Sequence, residues 1–309
     1  TQIPFVPTNA FKELELTSIE QKKRIAVFHS SGTTEQKPSR HFHCAESLEL
    51  YETLLWEWFE KNCRLPIADC QLICLTPPSK LAPHSSLVRM FETIWKKMGG
   101  ASVPASRTEF VGKISNDSTW TLDFDAALVA LNQSQFTNHQ SLILGTAFSF
   151  VHLLDFLAEQ NLKFNLPAGS KVMETGGYKN RSRSLPKAEL HSLIEIFLGV
   201  PRENIICEYG MSELSSQSYD SEIHHPSSII HHRVFRFPPW ARAQIISPET
   251  GREVADSETG LIRVLDLANV FSVAAIQTED LGIRRGDGFQ LIGRAQLAEP
   301  RGCSLMTTL

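Results

Sequence analysis

An apolar run, Ile25-Ala26-Val27-Phe28, passes directly into His29-Ser30-Ser31-Gly32-Thr33-Thr34-Glu35-Gln36-Lys37-Pro38. A small, hydroxyl-rich turn carrying a basic residue immediately after a strand-like segment reads as a phosphate-handling loop. Gly32 permits backbone conformations closed to other residues, the hydroxyls of Ser30, Ser31, Thr33 and Thr34 supply donors, and Lys37 supplies positive charge beside the same anion. Serine and threonine also crowd ordinary surface turns, so the loop by itself leaves both readings open.

With 309 residues and 42% hydrophobic content, the chain is long enough for one large domain or two smaller ones around a substantial core. Thirty Lys+Arg against thirty-four Asp+Glu leave a net charge of −4 without a long basic block, which argues against nucleic acid or an anionic membrane as partner. The six cysteines (Cys44, Cys63, Cys70, Cys74, Cys207, Cys303) are scattered without a CxxC pair, and no apolar run is long enough for a signal peptide or membrane span. These features favour a reducing, cytoplasmic setting.

Helical and strand-like segments alternate, which predicts an α/β protein whose sheet is mostly parallel through its first two-thirds. Leu48, Tyr51, Leu55 and Trp58 recur at helical spacing. So do Leu87, Met90, Phe91, Ile94 and Trp95, ahead of a Gly99-Gly100 stop. Between them, Cys70–Leu75 reads as a short buried strand, so Cys70 and Cys74 are packing residues rather than ligands. A third helix begins near Pro186, carries the stripe Leu190, Leu193, Ile194 and Phe197, and ends at Gly199. The texture changes after about Arg242 to short strands at 243–246, 261–265, 270–273 and 289–292, predicting an α/β core over residues 1–241 and a β-rich subdomain over residues 242–309.

Four further clusters follow the first loop. The paired glycines of Glu174-Thr175-Gly176-Gly177-Tyr178 suit close backbone approach to a flat base, or a simple strand-end turn. In Glu208-Tyr209-Gly210-Met211-Ser212-Glu213, an aromatic ring is available to stack on a purine and the Glu213 carboxylate to hold a hard cation such as Mg²⁺. Thr278-Glu279-Asp280-Leu281-Gly282 places an acidic turn suited to ribose hydroxyls, and Gly293-Arg294 a guanidinium suited to phosphate or ribose oxygens. The pairs His224-His225 and His231-His232 lack the spacing of a structural zinc site.

Taken together, these stretches resemble the signature set of the adenylate-forming superfamily, and the order along the chain is the same. Ser30-Ser31-Gly32-Thr33-Thr34 is similar to its phosphate loop, Tyr209-Gly210-Met211-Ser212-Glu213 to its Tyr-Gly-x-Thr-Glu motif, Asp280 to its ribose-binding aspartate, and Gly293-Arg294 to its late Gly-Arg. Glu35, Ser212 and Glu279 depart from the pattern. Within the superfamily the chain resembles the LuxE-type acyl-protein synthetases. Ile3–Pro7, Glu174–Lys179 with Arg181-Ser182-Arg183, and Glu299–Leu305 carry that likeness.

The resemblance implies a large adenylating α/β domain, with an early family segment ahead of Thr1 and no lid domain after Leu309. It implies ATP and Mg²⁺ as cofactors, with ATP held by Ser30, Ser31, Gly32, Thr33, Thr34, Gly176, Gly177, Tyr178, Glu208, Tyr209, Gly210, Met211, Ser212, Asp280 and Arg294, and Mg²⁺ by Glu213. A fatty acid would be activated as an acyl adenylate, with Lys37 as the catalytic cation in place of a lid lysine, and then transferred to Cys303. Acyl reductase and acyl transferase proteins are the implied partners. The apolar segment Leu142–Leu154 occupies the acyl-pocket region of relatives, with His152 a candidate contact or simply part of a buried strand and helix. Two other readings stand beside this one: an acyl- or aryl-CoA ligase lacking its lid, and a non-catalytic nucleotide-binding scaffold.

Overall fold

A computed structural model describes residues 3–30, 37–64, 70–99, 108–115, 120–137, 139–177, 182–223 and 232–295. Its elements in chain order are β1 (Val6–Pro7), α1 (Ala10–Glu13), β2 (Ala26–His29), β3 (Arg40–His43), α2 (Ala45–Cys63), β4 (Gln71–Cys74), α3 (Ser86–Lys97), β5 (Thr108–Phe110), β6 (Gly112–Ile114), β7 (Trp120–Leu122) and α4 (Phe124–Thr137). They continue with β8 (Ser141–Thr146), α5 (Ala147–Glu159), β9 (Lys171–Thr175), α6 (Lys187–Leu198), β10 (Ile205–Tyr209), β11 (Ser218–Ile223), β12 (His232–Arg236), β13 (Ala241–Ile246), β14 (Thr259–Asp266), β15 (Ala275–Arg285) and β16 (Gly288–Arg294).

Strands β10-β9-β8-β4-β5 form a parallel array, as the alternation of helices and strands predicted. Their residues are apolar in succession because alternate side chains enter two different cores. Ile73, Ile143, Val172 and Ile205 pack with α4, α5 and α6, whereas Leu72, Cys74, Leu142, Leu144 and Met173 pack with α2 and α3. Cys70 and Cys74 are buried packing residues. Helix α5 follows β8 without a loop, because Thr146 and Ser149 cap each other: Thr146 Oγ1 accepts from the Ser149 amide and Ser149 Oγ from the Thr146 amide. Helix α6 starts after Pro186 and stops at Gly199, whose φ of 69° is left-handed, as those residues signalled.

Beyond β10 the same sheet continues antiparallel through β11, β12, β16, β15, β14 and β13, over a third core built on Phe11, Phe235, Ile262, Val264, Ile276 and Phe289. The antiparallel strands begin at Ser218, earlier in the chain than the change of texture near Arg242.

Two local expectations are corrected. Residues 270–273 form no strand: the Asn269 carbonyl accepts from the Ser272 amide to make a turn, and the Phe271 carbonyl and Ser272 hydroxyl bond residues 16–18 instead of a neighbouring strand. Residues 278–282 are not a turn but the middle of β15, which pairs with both β14 and β16. Among the described residues no helix is long and apolar enough to cross a membrane.

One close approach tests this packing. Gly112 donates to the Thr76 carbonyl, and a Cβ there would lie 2.1 Å from the Thr76 carbonyl carbon and 2.2 Å from the Pro77 nitrogen. Both are backbone atoms and cannot rotate away. Gly112→Ala is expected to lower stability by about 3 kcal/mol, read as a lower urea midpoint at unchanged slope; an unchanged midpoint would refute the contact.

Candidate active site

Parallel strands covered on both faces present their carboxyl ends on one edge, where backbone groups are free to meet a ligand. Here that edge is formed by Thr146, Thr175 and Glu208, which are lateral neighbours in the sheet. Gly176 and Gly177 follow β9, both exposed, with open space where side chains would project and a φ of 69° at Gly176. The Thr175 hydroxyl donates to Glu208 Oε2 across the β9–β10 pair. Directly after β10, a Cβ at Gly210 would come within 2.3 Å of Glu208 Oε1, so glycine is the residue that lets the chain turn over this carboxyl group.

Three distant segments meet at the turn that follows. The Tyr209 hydroxyl donates to Asp280 Oδ2 at 2.9 Å, joining β10 to β15. Arg294 on β16 is the register partner of Asp280. On the other side, Ser39 Oγ donates to Glu213 Oε1 at 2.5 Å and Ser212 Oγ to Glu213 Oε2 at 3.0 Å, while Asn269 holds the Glu213 carbonyl at 2.9 Å. The Ser39 amide donates to Ser30 Oγ at 3.0 Å. The two ends of the hydroxyl-rich loop are therefore tied to each other through Ser30 and Ser39, and Ser39 ties them to the Glu213 carboxylate, although residues 31–36 lie outside the described residues.

The predicted site residues thus divide. Ser30, Gly176, Gly177, Glu208, Tyr209, Gly210, Ser212, Glu213, Asp280 and Arg294 gather along this edge, and Met211 packs against the third core. Tyr209 is 7% exposed, its ring set edge-on against Phe289, Phe235 and Phe237, so its polar tip rather than an open face is what it offers. Lys37 lies with Nζ 3.8 Å from Glu13 Oε2, both side chains more than half exposed. His152 is exposed on α5, edge-on to Phe148. Ser31, Gly32, Thr33, Thr34, Tyr178 and Cys303 lie outside the described residues, as do His224, His225 and His231.

Sequence reasoning missed Ser39 and Asp266. Asp266, fully buried, accepts from the Ser215 and Ser216 amides at 2.9 and 2.8 Å, from the Ser216 hydroxyl at 2.7 Å and from the Ala268 amide at 3.0 Å, fixing the turn after Glu213. Burial pushes its pKa up and these donors oppose the shift. The available signals were an acid closing the apolar strand 261–265 and a hydroxyl just past Pro38.

Residues 94–308 match the acyl-protein synthetase family LuxE. The chain belongs to that family of ligases. It is 26% identical over 329 residues to the Long-chain-fatty-acid--luciferin-component ligase of Aliivibrio fischeri, covering 98% of this chain and 77% of the relative. The Vibrio harveyi ligase of the same name is 24% identical over 193 residues, covering 60% and 49%. ATP-bound MatB from Rhodopseudomonas palustris shares the fold at a TM-score of 0.58 and 15% identity, over 89% of this chain and 49% of that one. An open 2-hydroxyisobutyryl-CoA ligase, in complex with 2-HIB-AMP and CoA, does so at 0.61 and 12%, over 94% and 64%. The chain spans about half the length of MatB and of the Vibrio harveyi ligase. The expected adenylate-forming α/β architecture is the one observed.

Buried titratable groups around the site pull stability in opposite directions with pH. Burial lowers His41 to about 4, against the opposing bond to the Ser212 carbonyl, and burial with the neighbouring His41 and Arg89 charges lowers His43 to about 3. Unfolded histidine binds its proton near pH 6.5, so their contribution is complete above that pH and is lost as the pH falls from 6.5 toward 4. Glu208 runs the other way. Burial, helped by Glu174, pushes it up to about 7, so its neutral form favours folding below pH 4.5 and that contribution is lost as the pH rises through 7. Glu208→Gln removes this opposing contribution. Between pH 7.5 and 5.5 the variant is expected to lose about 2 kcal/mol more stability than the parent protein, measured by urea unfolding at both pH values; equal losses would show that Glu208 is ionised throughout.

Proposed function

We propose that the protein activates a long-chain fatty acid with ATP as an acyl adenylate and then carries the acyl group as a thioester on Cys303. The observation that carries the proposal is the meeting of Ser30, Ser39 and Glu213 with Tyr209 and Asp280 along one sheet edge. Membership of the acyl-protein synthetase family and the fold shared with ATP-bound MatB support it.

Asp280, whose pKa burial raises while the Tyr209 hydroxyl and the Arg294 charge oppose the rise, offers carboxyl oxygens as acceptors for ribose hydroxyls. Gly176 and Gly177 leave backbone open to the base, and Ser30 opens the hydroxyl-rich loop that meets the phosphates. The Glu213 carboxylate, with the Ser39 and Ser212 hydroxyls beside it, is an all-oxygen donor set of the kind Mg²⁺ takes, and the ion would neutralise phosphate charge there. The fatty-acid carboxylate attacks the α-phosphorus of ATP and pyrophosphate leaves. The Cys303 thiolate then attacks the acyl carbonyl, the carbonyl–AMP bond breaks, and AMP departs with the electron pair. Lys37 supplies cationic charge at the loop, after leaving the exposed Glu13 carboxylate. A cytoplasmic acyl reductase is the partner that takes the acyl group, and an acyl transferase the partner that supplies the acid.

Incubation with ATP, Mg²⁺ and a radiolabelled long-chain fatty acid is expected to release pyrophosphate and to leave hydroxylamine-sensitive label on the chain. Cys303→Ser should retain the first signal and lose the second by at least ~100-fold. Thioester formation only on added coenzyme A would instead mark a CoA ligase, and absence of both signals a nucleotide-binding scaffold.

A further inference from the structure

Below the Thr175–Glu208 pair lies a cluster that the proposed chemistry does not use. Glu174 on β9, His191 on α6 and Cys207 on β10 each offer one donor atom, all within 4.8 Å of one another. All three side chains are buried, at 0%, 1% and 0% exposure. His191 Nε2 stands 3.5 Å from Glu174 Oε1 and 3.7 Å from Cys207 Sγ. An ion holding nitrogen at about 2.1 Å and sulfur at about 2.3 Å in tetrahedral geometry separates those two donors by about 3.6 Å, and nitrogen from oxygen by about 3.3 Å. The His191–Glu174 and His191–Cys207 separations match two edges of such a tetrahedron, and the third donor pair lies within 4.8 Å.

Two further features point to a ligand. Glu174 Oε2, fully buried, has no hydrogen-bond partner among the described residues, and neither has His191 Nδ1. The cation now beside Glu174 is Lys187, with Nζ 2.8 Å from Oε1 on a side chain 43% exposed, so its stem reaches the buried carboxylate from the surface. A carboxylate with no access to water, balanced by one lysine that reaches it from the surface, is a site where another cation competes on favourable terms.

We propose that Glu174, His191 and Cys207 form a binding site for a zinc-class divalent ion, with Lys187 as the counter-cation when the ion is absent. The mixed sulfur, nitrogen and oxygen donors select Zn²⁺ over Mg²⁺, which separates this site chemically from Glu213. Binding moves the Lys187 ammonium into solvent and releases the Cys207 thiol proton to water, leaving thiolate, imidazole and carboxylate around the ion. The ion would tie β9, α6 and β10 together directly beneath the residues that carry the Thr175–Glu208 contact. Its presence or absence is independent of the acyl chemistry.

Co²⁺ is the probe that tests this. Added to the chelator-treated full chain, it is expected to bind at one equivalent, with a near-ultraviolet thiolate-to-cobalt band and the strong visible bands of a four-coordinate ion, both abolished by Zn²⁺. Cys207→Ser should remove the thiolate band and His191→Gln weaken binding by at least ~10-fold. Lys187→Met, which removes the competing charge without touching a ligand, should tighten binding by on the order of 10-fold or more. Absence of stoichiometric uptake by the parent protein overturns the proposal. So does uptake without a thiolate band, the signature of histidine-only binding at 224–232, and so does a band that survives Cys207→Ser or an affinity that Lys187→Met leaves unchanged.

Discussion

Burial of β4, β8, β9 and β10 on both faces is the constraint from which the site follows. Side chains of β4, β8 and β9 enter the α2–α3 core and the α4–α5–α6 core in alternation, and β10 adds Cys207 and Tyr209 to the third core, so neither face is left for a ligand. What remains open is the edge where these strands end. There the chain must turn, and at Gly176 and Gly210 it turns through glycine: the first is left-handed, the second passes over the Glu208 carboxyl group. Chemistry gathers at that edge because it is the part of the array whose backbone is not already paired.

The edge is held by carboxylates in unlike environments. Glu213 and Asp266 are surrounded by hydroxyl and amide donors, which orient the turn over residues 211–216 and leave it little freedom. Glu208 has one hydroxyl donor and is driven toward its neutral form by burial. Glu174, on the adjacent strand opposite Cys207, is held ionised at about 2: Lys187 and His191 outweigh a burial cost larger than either contribution alone. An ionised carboxyl group and one pushed toward its neutral form, on adjacent strands, reduce the repulsion of two buried charges. These groups run in order from Lys187 through Glu174 to Glu208.

Much of this was legible residue by residue. The stripes at Leu48–Trp58 and Leu87–Trp95 produced α2 and α3, the capping residues Pro186 and Gly199 bounded α6, and the apolar run 70–75 became β4. The motif residues Ser30, Tyr209, Glu213 and Asp280 do lie together. Val270–Val273 failed as a strand because β propensity says nothing about whether a neighbouring strand is present to pair, and here residues 16–18 took its bonding groups instead. Thr278–Gly282 failed as a turn for the converse reason: two acids and a glycine look like a loop, yet β14 and β16 flank them and pair them into β15. Ser39 and Asp266 carried no periodic signal, since their roles arise from partners 174 and 50 residues away.

The amino-acid order alone determined the parallel α/β array, the stripes of α2 and α3, the limits of α6 and the sequence of loops that line the edge. These depend on local backbone preference and on side-chain periodicity, both of which act over a few residues. Only the tertiary structure decided that Tyr209 spends its ring in an aromatic core and its hydroxyl on Asp280, that burial drives Glu208 toward its neutral form while Glu174 stays charged, and that Cys207 stands beside His191. Those outcomes are set by burial and by partners that meet only when distant segments pack, and no local rule carries that information.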